Sequence, residues 1–171
     1  MIPLCAYDSS AQDAHPTESQ VEAAYLFNFG KFVTWPSSRP AESFGICILG
    51  KDPFGEALDS TVAGESIDHK QIKLLRISRM PEPDACNILF VSSSEEGRLA
   101  GILSDAQKFH WLTVSDMKHF AERGGDIGML RQENRVRFEV NRSAAEQSSL
   151  LLSSELLKVA TRVIQSKAGG K

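Results

Sequence analysis

The chain has 171 residues, of which 42% are hydrophobic and 24% charged, a composition typical of one soluble globular domain and not of disordered, collagen-like or coiled-coil proteins. Its 19 Lys and Arg against 22 Asp and Glu give a net charge of −3, and without a basic run to neutralise phosphates we expect no nucleic-acid partner. No stretch approaches the roughly 20 consecutive apolar residues of a membrane span.

Residues 1–16 differ in character from the rest of the chain. An apolar stretch from Met1 to Ala6 precedes polar and small residues, as in the tail and cleavage region of an export signal. No basic residue precedes that stretch, so a disordered leader stays open as the alternative to a signal remnant. We predict a single domain over residues 17–166 and a disordered tail over residues 167–171.

The first half of this domain combines helical and strand patterns. Thr17 and Gln20 have the spacing of a capping box, and the apolar stripe after them predicts a helix that stops at Trp35-Pro36. A buried strand is predicted next over residues 44–49, followed by a short helix at 56–59 and by strands over residues 72–77 and 87–91.

The second half continues the alternation. Ser93 and Glu96 indicate the start of a helix whose apolar face ends near Ala106, and a strand is predicted over residues 111–114. Ser115 is expected to cap a further helix that ends at Gly124-Gly125. Two strands of a hairpin and a closing helix complete the predicted elements: 127–130, 136–140 and 153–164.

This element order predicts the fold class. Strands that alternate with helices imply right-handed crossovers and a mostly parallel sheet with helices on both faces. The hairpin adds an antiparallel edge. We therefore predict a three-layer α/β sandwich whose mostly parallel sheet has five or six strands.

The motif search favours no catalytic, cofactor or metal site. Gly50–Gly55 has the first half of a phosphate-binding loop, but Glu56-Ala57 replaces the Lys and Ser or Thr that bind phosphate and Mg²⁺. The four histidines lack metal-binding spacing. We predict a protein with no enzymatic activity, cofactor or metal. Three single acids lie where such residues commonly cap helices or form turns: Asp52, Asp116 and Asp126.

The cysteines are more informative. Cys5 lies in the leader, which leaves Cys47 in the first predicted strand and Cys86 at the start of the third. In the common doubly wound order these strands are neighbours, which brings the Cα atoms towards the roughly 5.5 to 6 Å that a disulfide requires. The residues alone leave two possibilities open, a disulfide or two buried thiols that pack as small hydrophobes.

The segment Ala23–Pro36, AAYLFNFGKFVTWP, closely resembles the opening helix of the YfiR-like family of small exported bacterial proteins. The resemblance extends in order over about residues 20–165. It places Cys47 and Cys86 at the positions of a family disulfide. A second disulfide of the best-known member has no counterpart here, since residues 124–137 contain no cysteine. The later matching blocks are residues 46–54, 86–91, 112–116, 124–128, 136–141 and 152–160.

The resemblance implies a non-catalytic periplasmic regulator. The best-known member is a homodimer that binds the periplasmic part of an inner-membrane diguanylate cyclase and represses cyclic di-GMP synthesis, and with it biofilm formation. An outer-membrane, peptidoglycan-associated lipoprotein sequesters it and so relieves the repression. For a homodimer we expect helix 21–35 or helix 153–164 near the contact, because both carry more apolar surface than one sheet face needs.

Arg137, Glu139 and Asn141 are the candidate partner-binding residues, since Glu139 matches the family's F-E-x-N pattern. A structural ion pair with Arg137 or Arg142 is the alternative role for Glu139.

The alternative function is that of a periplasmic small-ligand-binding protein serving another sensor or a transport system. It calls for a deep pocket at the carboxyl ends of the strands, near Gly50, Ser92 and Ser115.

Overall fold

A computed structural model of the chain describes residues 15–36 and 42–166. The predicted tail, most of the predicted leader and part of the Ser- and Pro-rich linker after Pro36 lie outside these residues. One element is a 3₁₀ helix, Ser93–Arg98. The other elements in chain order are α1 (Glu18–Phe29), β1 (Val33–Thr34), β2 (Phe44–Leu49), α2 (Glu56–Val62), β3 (Ser66–Ile67), β4 (Lys70–Ile77), β5 (Ile88–Val91), α3 (Leu99–Phe109), β6 (Leu112–Ser115), β7 (Ile127–Gln132), β8 (Arg135–Asn141), α4 (Arg142–Gln147), β9 (Leu151–Leu152), α5 (Ser154–Val159) and β10 (Arg162–Ile164).

The described residues form one eight-stranded sheet in the order β10-β8-β7-β6-β5-β2-β4-β3, and β1 pairs with β9 separately. Neighbours in the large sheet are parallel except in the pairs β7-β8 and β3-β4. This confirms the predicted α/β class, but eight strands replace the predicted five or six. The unforeseen edge strands β3 and β10 have two and three residues, too few for a period to be visible.

The two faces of the sheet bury two separate cores. Side chains alternate along a strand, so Ile46 and Ile48 of β2 face α1 and α2, while Cys47 and Leu49 face α3. All six residues of β2 are buried. Helices on both faces explain why this strand is a continuous apolar run and does not alternate.

The first helix begins as predicted but ends earlier. Thr17 and Gln20 form the capping box, and the helix stops at Phe29, six residues before Trp35. The chain beyond Gly30 forms β1 instead, with Val33 opposite Leu152 of β9. Pairing with a strand more than a hundred positions away outweighs the local helical pattern. The sequence shows that helical pattern but does not show which distant segment becomes the partner strand.

Two later helix predictions are wrong in extent. The described chain has no helix between β6 and β7, because residues 118–124 form turns and His119 adopts a left-handed φ of 60°. The closing helix is only α5, after which residues 162–164 pair with β8 as a parallel strand. Val163 and Ile164 are β-branched and suit a strand better than a helix end. No helix in the described part of the chain is long and apolar enough to cross a membrane.

Candidate functional site

Cys47 and Cys86 form a disulfide with a Cα–Cα distance of 5.8 Å. Both residues are fully buried, and the strands beside them, β2 and β5, are parallel neighbours. Gly45 makes the approach possible, because a Cβ at this position would lie 1.9 Å from the carbonyl oxygen of Ala85. The bond therefore joins two central strands from inside the core that faces α3.

Glu139 belongs to an ion-pair network between distant segments. Its carboxylate accepts a hydrogen bond from Nε of Arg162 at 2.6 Å, and the guanidinium of Arg162 also pairs with Glu122. The hydrogen bond from Arg162 lowers the pKa of Glu122. The alternative partners expected for Glu139 were Arg137 and Arg142, but the structure pairs it with Arg162 across the β8-β10 register.

Arg137 is exposed, in contrast to Glu139. Among the described residues no carboxylate pairs with Arg135 or Arg137. Alternation places both arginines on the same side of β8 as Glu139, opposite to Phe138, which packs against the ring of Phe29 in α1. We call Arg135, Arg137, Glu139 and Arg162 the β8 face. On this face Arg162 is paired with Glu139, whereas Arg135 and Arg137 have no carboxylate partner among the described residues.

Asn141 has a different environment. It is only 9% exposed, its Nδ2 donates to the carbonyl of Ala121 at 2.8 Å, and its Oδ1 accepts from the N–H of Ala144 at 3.0 Å. The side chain thus caps α4 and anchors the turn after β6. Within the predicted site, Arg137 and Glu139 lie on an open surface, and Asn141 holds the end of their strand in place.

The closing segment of the described chain exposes two apolar side chains. Val159 at the end of α5 is 69% exposed and Val163 in β10 is 38% exposed. The outer edge of β10 has no neighbouring strand among the described residues. By contrast, α1 buries Ala23, Leu26, Phe27 and Phe29 within the subunit. Of the two segments expected near a dimer contact, only the closing one keeps apolar surface free.

The carboxyl ends of the strands offer few free polar groups. The N–H of Gly50 donates to the carbonyl of Ile77 at 3.0 Å, and the hydroxyl of Ser92 caps the 3₁₀ helix. Ser115 Oγ donates to the carbonyl of Val91 and accepts from the N–H of Met117. These groups satisfy the backbone of the turns that leave the sheet, and a ligand would have to compete with those bonds.

The three single acids lie in three different environments. Asp52 accepts from the N–H of Phe54 and pairs with Arg76, as expected of a turn former. Asp116 is exposed, although partial burial raises the pKa of its carboxyl. Asp126 is buried against Thr113. In the part of the chain that the structure describes, no three His, Cys, Asp or Glu residues are grouped to hold a metal ion.

Sequence reasoning missed Arg162, which pairs with Glu139, and Glu122, which pairs with the same guanidinium. These two residues lie 23 and 17 positions from Glu139 in the chain, and the sequence shows no spacing pattern that joins a turn to an edge strand.

Comparison with known proteins identifies both the family and the fold. A family model, DUF4154, described as YfiR/HmsC-like, matches residues 19–161. Two solved structures are similar to the chain. They are the ABC domain in complex with L-Trp from Streptococcus pneumoniae (TM-score 0.61, 11% identity, 83% of this chain and 60% of that one) and a conserved domain protein from Vibrio cholerae O1 biovar El Tor strain N16961 (TM-score 0.57, 12% identity, 86% and 60%).

The two solved structures inform the fold alone. This chain spans 60% of the length of each. The TM-scores show a shared fold, and at 11% and 12% identity a shared fold does not imply a shared activity. No curated protein matches the chain.

Proposed function

This chain belongs to the YfiR/HmsC-like family, and we propose that it is a non-catalytic periplasmic regulator of an inner-membrane diguanylate cyclase. It binds the periplasmic part of the cyclase and represses cyclic di-GMP synthesis, and an outer-membrane, peptidoglycan-associated lipoprotein sequesters it to relieve the repression. The family match over residues 19–161 carries the proposal. The disulfide supports the compartment, because such bonds persist in oxidising environments.

We place the contact with the cyclase on the β8 face. The unpaired, exposed guanidinium of Arg137 suits an acidic partner surface, since a fork of N–H donors binds a carboxylate bidentately. Glu139 holds Arg162 on the same face through an ion pair, and exposed ion pairs contribute little to folding because solvent screens them. Substitutions here therefore test binding without unfolding the domain.

Binding to the purified periplasmic part of the cyclase should weaken at least tenfold in Arg137→Ala, because the partner's carboxylate loses its counter-ion. Glu139→Ala should weaken binding to a smaller extent by releasing Arg162. Isothermal titration calorimetry measures both effects. Arg142→Ala is the matched control, because this exposed arginine lies on α4 and pairs with Glu146. Unchanged affinity in both test variants would contradict the assignment and leave Glu139 with a purely structural role.

We further propose that the chain forms a homodimer through the exposed edge made by α5 and β10. A strand edge with unpaired backbone groups and adjacent valines is suited to a second copy of itself. Val159→Glu places a charge in that contact and should give a monomer by light scattering at concentrations where the wild type is dimeric. Lys158→Ala, at the neighbouring exposed position, should leave the dimer intact. A dimer that survives Val159→Glu would exclude this edge.

A further inference from the structure

A buried carboxylate lies at the floor of a groove between α3 and α4. Asp126 is 2% exposed, and its Oδ2 accepts two hydrogen bonds from Thr113, from the N–H at 2.8 Å and from Oγ1 at 3.0 Å. Its second oxygen, Oδ1, accepts no hydrogen bond from any described residue. Half of the acceptor capacity of this nearly buried acid is therefore unused.

The unused oxygen reaches open space. Trp35 Nε1 is the only completely enclosed side-chain nitrogen or oxygen without a partner among the described residues, so Asp126 Oδ1 is accessible from the groove. The groove has a volume of about 290 Å³, which is enough for a small organic molecule. Its polar lining includes Ser104 and Gln107 of α3, and Gln147 and Ser148 at the end of α4.

The groove supplies no cation to Asp126. Among the described residues, Arg123 is the one basic residue that lines it, and its Nη1 donates to Glu96 at 2.8 Å and to the sulfur of Met117. His110 lies behind Ser148, with Nδ1 2.8 Å from the backbone carbonyl oxygen of that residue. Burial raises the pKa of Asp126 to about 7. A buried carboxylate without a counter-ion is costly, and a cation that enters the groove would remove that cost.

We propose that this groove binds a small organic cation with a primary amine. An ammonium group carries three donors, which suits Asp126 Oδ1 together with the amide and hydroxyl oxygens of Gln107 and Ser148. The organic part of the ligand contacts Leu103 and Ala144, which also line the groove. A metal ion fits less well, since no group of three His, Cys, Asp or Glu residues is arranged for one in the described ranges. The proposal does not depend on the cyclase.

A titration of the full chain with propylamine at pH 8, followed by ¹H–¹⁵N NMR, tests the site. At this pH the amine is protonated and Asp126 is mostly ionised. We expect saturable shifts of the amides of Gly124, Asp126 and Ser148, and none with 1-propanol, which has the same shape without the charge. Affinity should fall at least tenfold at pH 5.5, where Asp126 is protonated.

Two variants decide between a ligand site and a structural acid. Asp126→Asn keeps an acceptor for Thr113 and should weaken propylamine binding at least tenfold. Ser104→Leu fills the groove from α3 and keeps the carboxylate, and it should also weaken propylamine binding at least tenfold. It tests the site even if Asp126→Asn does not fold. Asp105→Asn removes a charge from α3 outside the groove and should bind as the wild type does. The absence of saturable shifts at 20 mM propylamine, or equal binding by Asp126→Asn or Ser104→Leu, would overturn the proposal.

Discussion

We expect replacement of Cys47 and Cys86 together by alanine to lower the free energy of unfolding by about 4 kcal/mol. The bond joins residues 39 positions apart, and for a loop of this length the chain-entropy model gives about 4 kcal/mol. Domains of this size are stable by about 5 to 15 kcal/mol. Loss of the bond therefore removes a large share of the total stability and leaves β2 and β5 joined only by backbone pairing and packing.

Urea unfolding with and without dithiothreitol measures this effect. The wild type should lose most of the stabilisation on reduction, whereas the double alanine variant should not respond to the reductant, which makes it the control for unspecific effects. A midpoint of the wild type that stays the same after complete reduction would show that packing alone holds the two strands.

The second large effect concerns pH and Asp126. Its pKa is about 7 in the folded protein against an ordinary value of 3.8, because burial penalises the charged form more than the bonds from Thr113 favour it. Between pH 4 and 7 the unfolded chain releases this proton while the folded protein retains it, so stability falls as pH rises. A shift of about three pKa units corresponds to at most about 4 kcal/mol. This loss of stability is complete above about pH 7 and absent below about pH 4.

Urea midpoints of the wild type and Asp126→Asn from pH 5 to 8 test this linkage. The variant has no proton to release at this position, so its urea midpoint should not fall between pH 5 and 7 as that of the wild type does. At pH 8 the variant should therefore be more stable relative to the wild type than it is at pH 5. Asp105→Asn should keep the slope of the wild type. An Asp126→Asn variant whose stability falls as steeply as that of the wild type would show that Asp126 is ionised throughout the range.

Propensity and period alone located the central strands. The predicted strand 44–49 has the observed bounds of β2, because a short, almost wholly apolar run between turn-forming segments is typical of a buried strand. The capping box at Thr17 also lies where the sequence places it, since capping depends on residues only three positions apart. The family and its disulfide were predicted from segments that resemble the family in the same order along the chain. The positions of the two cysteines alone did not decide between a disulfide and two free thiols.

Tertiary structure decided the remaining features. The helical pattern around Val163 became β10 because β8 offers a parallel edge, and Asn141 became a cap for a helix that its own segment does not predict. Arg162 joins Glu122 to Glu139 of the β8 face, and the groove at Asp126 exists only where α3 and α4 come together in the folded chain. Local sequence determines which backbone a segment prefers, but burial, counter-ions and strand partners come from residues distant in the chain and exist only after the sheet has assembled.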